Sequence, residues 1–364
     1  FEIDDYDLHF VNRYTAIENP FIWKINLLGG GRIKKIVEKC LENQSIKQLV
    51  DENKCEVEEG FIIGKNDKKC PDFMLNMQYI PTKAVTEKGI DFSKLDNINP
   101  DETFSKLPGK LTFTNPNIII KENIGEKTLP VFFNTDMPFS FKRSIIGIYS
   151  KTDHDLLKTI FDSIKFHSDI CRFLIFATSG KLLINKNTVF LKEDIMNLPI
   201  IDKSEQILSE IDKKIISDVN TFMQKFLRNG ENSDAVKAVP KNDNRFIENF
   251  GQEFSRALNL VYQDGEKKFR LSDIIRFKDN QFIGTIFYYD KKEKVPEIFN
   301  LDYGSKDIKE LLDFDLTQEL SVKRIIKYYR KDKVIFIKPN QKRFWISLNA
   351  YRDADKTFAD IAAL

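Results

Sequence analysis

Lys181-Leu-Leu-Ile-Asn-Lys-Asn-Thr-Val-Phe-Leu-Lys-Glu-Asp-Ile-Met-Asn-Leu-Pro-Ile-Ile201 closes the part of the chain, Gly109 to Ile201, whose reading decides the fold. Ahead of it, Asn117–Lys121, Val131–Phe133 and Phe139–Tyr149 are short, β-branched and aromatic runs of strand character. His154 to Ala177 then carries apolar residues at helical spacing. A short polar turn leads into the quoted segment, which is expected to hold a final strand stopping at Leu198-Pro199. Strands, one helical region and a returning strand place α and β elements together in this part of the chain.

Outward from this region the pattern changes twice. Towards the N-terminus, Phe21–Leu27 reads as a possible strand. Gly29-Gly30-Gly31 follows, and Arg32 to Val50 then reads as a helix, with Ile33, Ile36, Val37, Cys40 and Leu41 on one face. Glu58-Glu59-Gly60-Phe61-Ile62-Ile63-Gly64 reads as a short strand bounded by glycines, and residues 65–110 are polar and turn-rich. Towards the C-terminus, Ser204 to Leu227 and Phe246 to Tyr262 are amphipathic helices, with Ser204 placed to cap the first. Phe269–Phe277 and Gln281–Tyr289 form a hairpin around Lys278-Asp279-Asn280. A strand at Lys333–Lys338 and a helix at Ala350–Ala363 close the chain. The fold class is therefore α/β in the α+β sense. Its expected segments are an α/β domain at 1–201, long helices over 202–264 and a small α/β module at 265–364.

The order of elements from 109 to 201, with Asp194-Ile-Met-Asn-Leu-Pro-Ile200 leading into a helix, resembles the target-recognition region of adenine-specific DNA methyltransferases. It is similar also to the recognition domains of Type I restriction specificity subunits. The resemblance covers about residues 1–260 in arrangement and is strongest over 109–201; it implies a mixed-sheet target-recognition domain at 1–201 and a long helical spacer at 202–264. It implies that this part chooses a site on double-stranded DNA within a restriction–modification or phage-defence system. A catalytic domain that binds S-adenosylmethionine and methylates adenine N6 would lie elsewhere, with methyltransferase or restriction subunits as possible partners. No cofactor and no metal is expected in this chain. The chain opens at Phe1 without a Met, and Phe1-Glu-Ile-Asp-Asp-Tyr-Asp-Leu reads as the interior of a longer protein.

Composition bounds this reading without deciding it. The 57 Lys and Arg against 55 Asp and Glu give a net charge of only +2. The distribution is uneven: residues 1–100 hold 14 basic and 17 acidic side chains (net −3), whereas 110–201 hold 12 and 9 (net +3). That contrast favours a basic face on the second region. No apolar run approaches the roughly 18–20 residues of a membrane span, and the first residues lack a basic-then-apolar leader, so a cytoplasmic protein without membrane contact is expected. Four cysteines without paired spacing and three scattered histidines spell no zinc site.

Two motifs invite catalysis and fall short of it. Gly29-Gly30-Gly31 could approach S-adenosylmethionine if it joined a strand to a helix. That alternative would make the chain a self-contained methyltransferase, but a helix-entry turn explains the glycines as well. Asn19-Pro20-Phe21 has one proline too few for the Asn-Pro-Pro-aromatic motif of adenine methylation and reads as a turn. Glu58-Glu59 lacks the spaced lysine of a nuclease, and Asp353-Ala-Asp355 reads as a solvated helix face. A third possibility is a free-standing interaction subunit that docks through the helices at 204–262.

The candidate DNA-binding residues are the cations and amides of the expected loops: Lys65, Lys68 and Lys69 after the glycine-bounded strand; Lys110, Asn115, Asn117 and Lys121; Lys142 and Arg143; and Lys181, Asn185 and Lys186 in the turn after the helix. Lysine and arginine neutralise phosphates, while arginine and asparagine also read base edges. In the resemblance Phe61 and Gly64 would sit in a loop facing DNA. Phe73, Phe104 and Phe113 could stack on bases, but a phenylalanine-rich core accounts for them better.

Overall fold

A computed structural model describes residues 6, 8–75, 77–182, 188–202, 206–292, 294–302, 324–330 and 332–363. The chain divides into two compact units, residues 35–209 and residues 1–34 together with 210–364. Both units combine helices with sheets, as the α+β class requires.

In the 35–209 unit the main sheet has the order Glu56–Glu59, Ile145–Tyr149, Asn117–Lys121, Val131–Asn134, with every neighbour antiparallel. Ile118, Ile119 and Ile120 are wholly buried, so both faces of that strand are covered and the unbroken isoleucine run is explained. One cover is the helix His154–Phe166, whose Phe161 stacks on Phe133 at 5.7 Å. The single helical run expected over 154–177 is two helices: the chain breaks at His167 before Ser168–Thr178.

A second core lies under the turn-rich residues. Phe61, Phe104, Phe113, Phe139 and Phe141 pack with Met74 and Ile80. Phe61 meets Tyr79 and Phe104 edge-on, at 5.5 and 5.4 Å. Phe61 is thus a core residue, not part of an exposed loop, and Phe104 and Phe113 are buried with it. Phe73 packs against Phe113 at 6.5 Å. The strand after Gly60 runs from Ile62 to Lys69 and pairs with Thr103–Lys106, so Lys65, Lys68 and Lys69 belong to a strand.

Two local expectations in this unit are corrected. The helix expected over 32–50 is interrupted. Gly31–Leu41 ends, and Ser45 starts Ile46–Glu52 with a reciprocal Ser45–Gln48 capping box. The final strand expected before Leu198-Pro199 is instead the short helix Lys192–Met196. Asp194 holds its start, accepting from the Leu191 amide and from the Ser179 hydroxyl, both at 2.7 Å. What survives of strand pairing is a bridge between Pro199 and Ser45, flanked by Ile46 N–H to Leu198 O and Ile200 N–H to Gln44 O, each 2.8 Å.

The other unit carries a five-stranded sheet in the order Glu297–Leu301, Lys268–Phe277, Phe282–Asp290, Lys333–Pro339, Ile326–Arg330. Only the first pair is parallel. The expected hairpin is present, and Asn280 takes the left-handed conformation its turn requires. Helix Arg245–Tyr262 lays Phe250 and Phe254 against Phe336, at 6.4 and 5.0 Å. The helix expected over 204–227 is divided into Glu210–Asp218, a wide turn at Val219–Met223 and Gln224–Asn229; its expected cap, Ser204, lies outside the described residues.

Phe21–Leu27, expected as a strand, is the helix Ile22–Leu28. Gly29, at φ 129°, ends it, and Gly31 opens the next helix. The glycines therefore join helix to helix, and the strand-to-helix turn that would suit S-adenosylmethionine is not formed there. Asn19-Pro20-Phe21 is a turn, closed by the Phe21 amide donating to Asn19 Oδ1 at 2.9 Å.

Asp353 also departs from expectation. It is wholly buried in the closing helix Ser347–Ala362, where it accepts from the equally buried Lys338, from Tyr6 at 2.8 Å and, as an ion pair, from Lys327 at 3.2 Å. Asp355, one turn-face away, is exposed and takes Arg32 in a two-pronged bond of 2.8 and 2.7 Å. Among the described residues no helix is long and apolar enough to cross a membrane.

Candidate functional site

The main sheet of the 35–209 unit has a chemically unusual end. Its strands Glu56–Glu59 and Asn117–Lys121 point the same way, and Ile145–Tyr149 runs between them in the opposite sense. Glu59 therefore ends one strand, Glu122 follows the end of another, and Lys142 and Arg143 precede the start of the strand between them. Three main-chain bonds fix the arrangement: Gly60 N–H to Ile145 O at 3.0 Å, Arg143 N–H to Phe61 O at 2.9 Å and Glu122 N–H to Ser144 O at 3.0 Å. Gly60 makes the close approach possible, since a β-carbon there would lie 2.0 Å from the Phe141 carbonyl oxygen.

Glu59, Glu122, Lys142 and Arg143 line one cavity of about 630 Å³, together with Phe61, Thr82, Ser144, Lys181 and Leu191. Lys181 arrives from the turn after Ser168–Thr178, where its amide donates to Ser179 Oγ at 3.3 Å. Thr82 and Ser144 share a hydroxyl hydrogen bond on the wall.

Two carboxyl groups face each other in this setting. Glu59 receives Lys106 at 2.7 Å and Arg143 at 3.4 Å. Burial pulls its pKa up, but the bond and charge of Lys106 and the charge of Arg143 outweigh burial and leave it below the ordinary value. Glu122 is 9% exposed and lines the same cavity as Glu59. Burial, then the neighbouring Glu59 charge, push its pKa up to about 7, against a smaller opposing pull from Lys181. The two environments drive the pair apart: Glu59 holds the charge and Glu122 holds a proton near neutrality.

The structure sorts the residues singled out from the sequence. Lys142, Arg143 and Lys181 converge on the cavity. Lys121 adjoins Glu122 but sends its ammonium to the Val85 carbonyl at 3.2 Å, and burial lowers its pKa. Asn117 is wholly buried: it donates to Thr112 O at 3.4 Å and accepts from Asn134 at 3.1 Å, so it braces the sheet and cannot reach a base. Asn115 donates to Thr135 O at 3.0 Å. Lys65, Lys68, Lys69 and Lys110 are exposed and do not line the cavity. Asn185 and Lys186 lie outside the described residues.

Two participants, Glu122 and Lys106, escape a reading of the sequence, and Glu59 enters it only as half of an acidic pair without a nuclease lysine. The signal for Glu122 is there to be used, because an acidic residue directly after Asn117-Ile-Ile-Ile-Lys121 must sit at the rim of a buried strand. Nothing in sequence pairs it with Glu59. Among the described residues no group of three or more metal-ligating His, Cys, Asp or Glu side chains occurs, so the site is a mixed acid–base cluster. Chemically it offers cations at its rim and one carboxyl pair within. Compared with protein-family models and with curated proteins, the chain matches none.

Proposed function

We propose that the 35–209 unit binds double-stranded DNA, with the cavity end of its main sheet towards the duplex. The observation that supports this reading is the convergence of Lys142, Arg143 and Lys181, from two separate loops, on one concave surface. With Lys106 nearby, four cations stand against two carboxyl groups, one of which favours its neutral form. Such a surface suits phosphates, whose neutralisation supplies most non-specific affinity. In this reading the chain selects the site for a cytoplasmic restriction–modification or phage-defence methyltransferase. S-adenosylmethionine binding and adenine N6 methylation would belong to a separate domain or subunit.

The test is fluorescence anisotropy of a labelled duplex with the full chain, titrated from about 50 to 200 mM salt. Phosphate contacts predict log K falling linearly with log salt. Replacing Lys142, Arg143 and Lys181 together by alanine should flatten the slope by about three. Binding that ignores salt, or a slope unchanged in the triple variant, overturns the proposal.

A further inference from the structure

Phosphate binding leaves Glu122 without a task. The residue is nine-tenths buried, lines the cavity, and has an Oε1 with no hydrogen-bond partner among the described residues. A buried oxygen left unpaired is costly and calls for an explanation. Its neighbour does not have the same need, because Glu59 already accepts from Lys106 and faces Arg143. The unmet acceptor of the pair is therefore on Glu122, with Lys142, Arg143 and Lys181 around the same cavity.

A fitting ligand must bring an N–H to Glu122 and negative charge to the cations. A divalent cation brings only positive charge, against three basic side chains. An acidic peptide serves the cations but adds a further carboxylate beside Glu59. One stretch of duplex meets both demands, because its phosphates are anionic and its adenine and cytosine edges carry exocyclic amino groups in the major groove.

We propose that Glu122 reads one base pair, accepting an amino proton from adenine N6 or cytosine N4 in the major groove while Lys142, Arg143 and Lys181 hold nearby phosphates. The proposal rests on the DNA-binding reading and adds the residue that makes binding selective. Oε1 accepts in either protonation state, since a proton on the other oxygen is drawn towards the Glu59 carboxylate, so it fits the amino group of adenine or of cytosine.

The experiment is selection of bound sequences from a random duplex pool by the full chain, followed by affinity measurement on the selected duplex. One position is expected to be restricted to adenine or cytosine. Glu122→Ala relaxes that position alone, weakens binding to the selected duplex about tenfold or more, and leaves affinity for unrelated duplex unchanged. Substituting a base analogue without the amino group costs the wild type the same factor and costs Glu122→Ala nothing more. Glu122→Gln, which keeps the side chain's shape and an acceptor oxygen, retains the restriction at that position. The same selected motif in Glu122→Ala as in wild type, or independent penalties from protein and base changes, overturns the assignment while DNA binding stands. Duplex binding without any base preference does the same. Absence of duplex binding overturns both proposals.

Discussion

Glu59 and Glu122 line one cavity at the end of the Ile145–Tyr149 strand that separates their own strands. The pairing makes stability depend on pH with a definite sign. Glu122 titrates near 7 when folded, above its ordinary value of 4.5, so between these pH values the folded chain holds more protons than the unfolded one. Its contribution is most favourable below about pH 4.5 and is lost as pH rises through 7. Glu122→Gln abolishes the titration. Urea unfolding should find the variant more stable than wild type at pH 8, by about 1–3 kcal/mol, with the advantage shrinking towards pH 4. A difference that is constant with pH would refute the assigned shift.

Asn117 offers a control on the interface. Its amide joins Asn134 to the Thr112 carbonyl inside the sheet, so Asn117→Ala leaves buried polar groups unpaired. The expected cost is about 1–3 kcal/mol of stability. The salt slope of duplex binding should not move, in contrast to the loss expected on removing Lys142 or Lys181. A flattened slope in a folded Asn117→Ala protein would return this residue to the DNA surface.

Much of the fold was legible because burial and periodicity act locally. Ile118-Ile-Ile120 had to be a covered strand, and Phe250, Phe254 and Leu258 had to share a helix face; both are buried as their spacing demands. The errors fall where local pattern is ambiguous. Ile22 to Leu28 is apolar enough for strand or helix, and tertiary packing chose helix. At Leu191 the chain could extend, but Asp194 reaches back to cap the amide and turns the segment helical. The candidate site was half visible. Cations in loops announce themselves, whereas the Glu59–Glu122 pair exists only through strand order, and Asn117 looked like a loop amide until its strand was found to be buried on both faces.

The buried ion pair in the other unit makes its own prediction. Lys338 and Asp353 are wholly buried, and the ammonium lies 3.9 Å from the Phe250 ring centre and 5.1 Å from that of Trp345. Burial lowers the Lys338 pKa to about 8, while for Asp353 the charges of Lys338 and Lys327 outweigh burial and lower its pKa. Asp353→Ala strands a charge among aromatic rings and should cost about 3–5 kcal/mol. The double change Lys338→Met with Asp353→Ala should cost clearly less than the two single losses added together. Additive losses in chemical denaturation would show that the two groups are energetically independent.

Gly60 decides whether the cavity exists at all. It stands between Glu59 and the buried Phe61, and its flank presses on the backbone of Phe141 and Lys142: a β-carbon would come within 2.0 Å of one carbonyl oxygen and 2.6 Å of the next. Both obstacles are main-chain atoms, fixed by Phe61 N–H to Phe141 O and Arg143 N–H to Phe61 O, so no side-chain rotation can relieve the clash. Gly60→Ala must therefore push the Glu56–Glu59 strand away from Phe141–Arg143. The expected cost is about 1–3 kcal/mol of stability. The same displacement separates Glu59 from Arg143 and from Glu122, so the pH dependence that distinguishes wild type from Glu122→Gln should diminish in the Gly60→Ala background. Gly64→Ala is the matched comparison, because there the nearest atom is the Ser105 hydroxyl at 3.2 Å, on a side chain that can turn aside. Equal losses in the two alanine variants would mean that the close approach at Gly60 does not hold the site together.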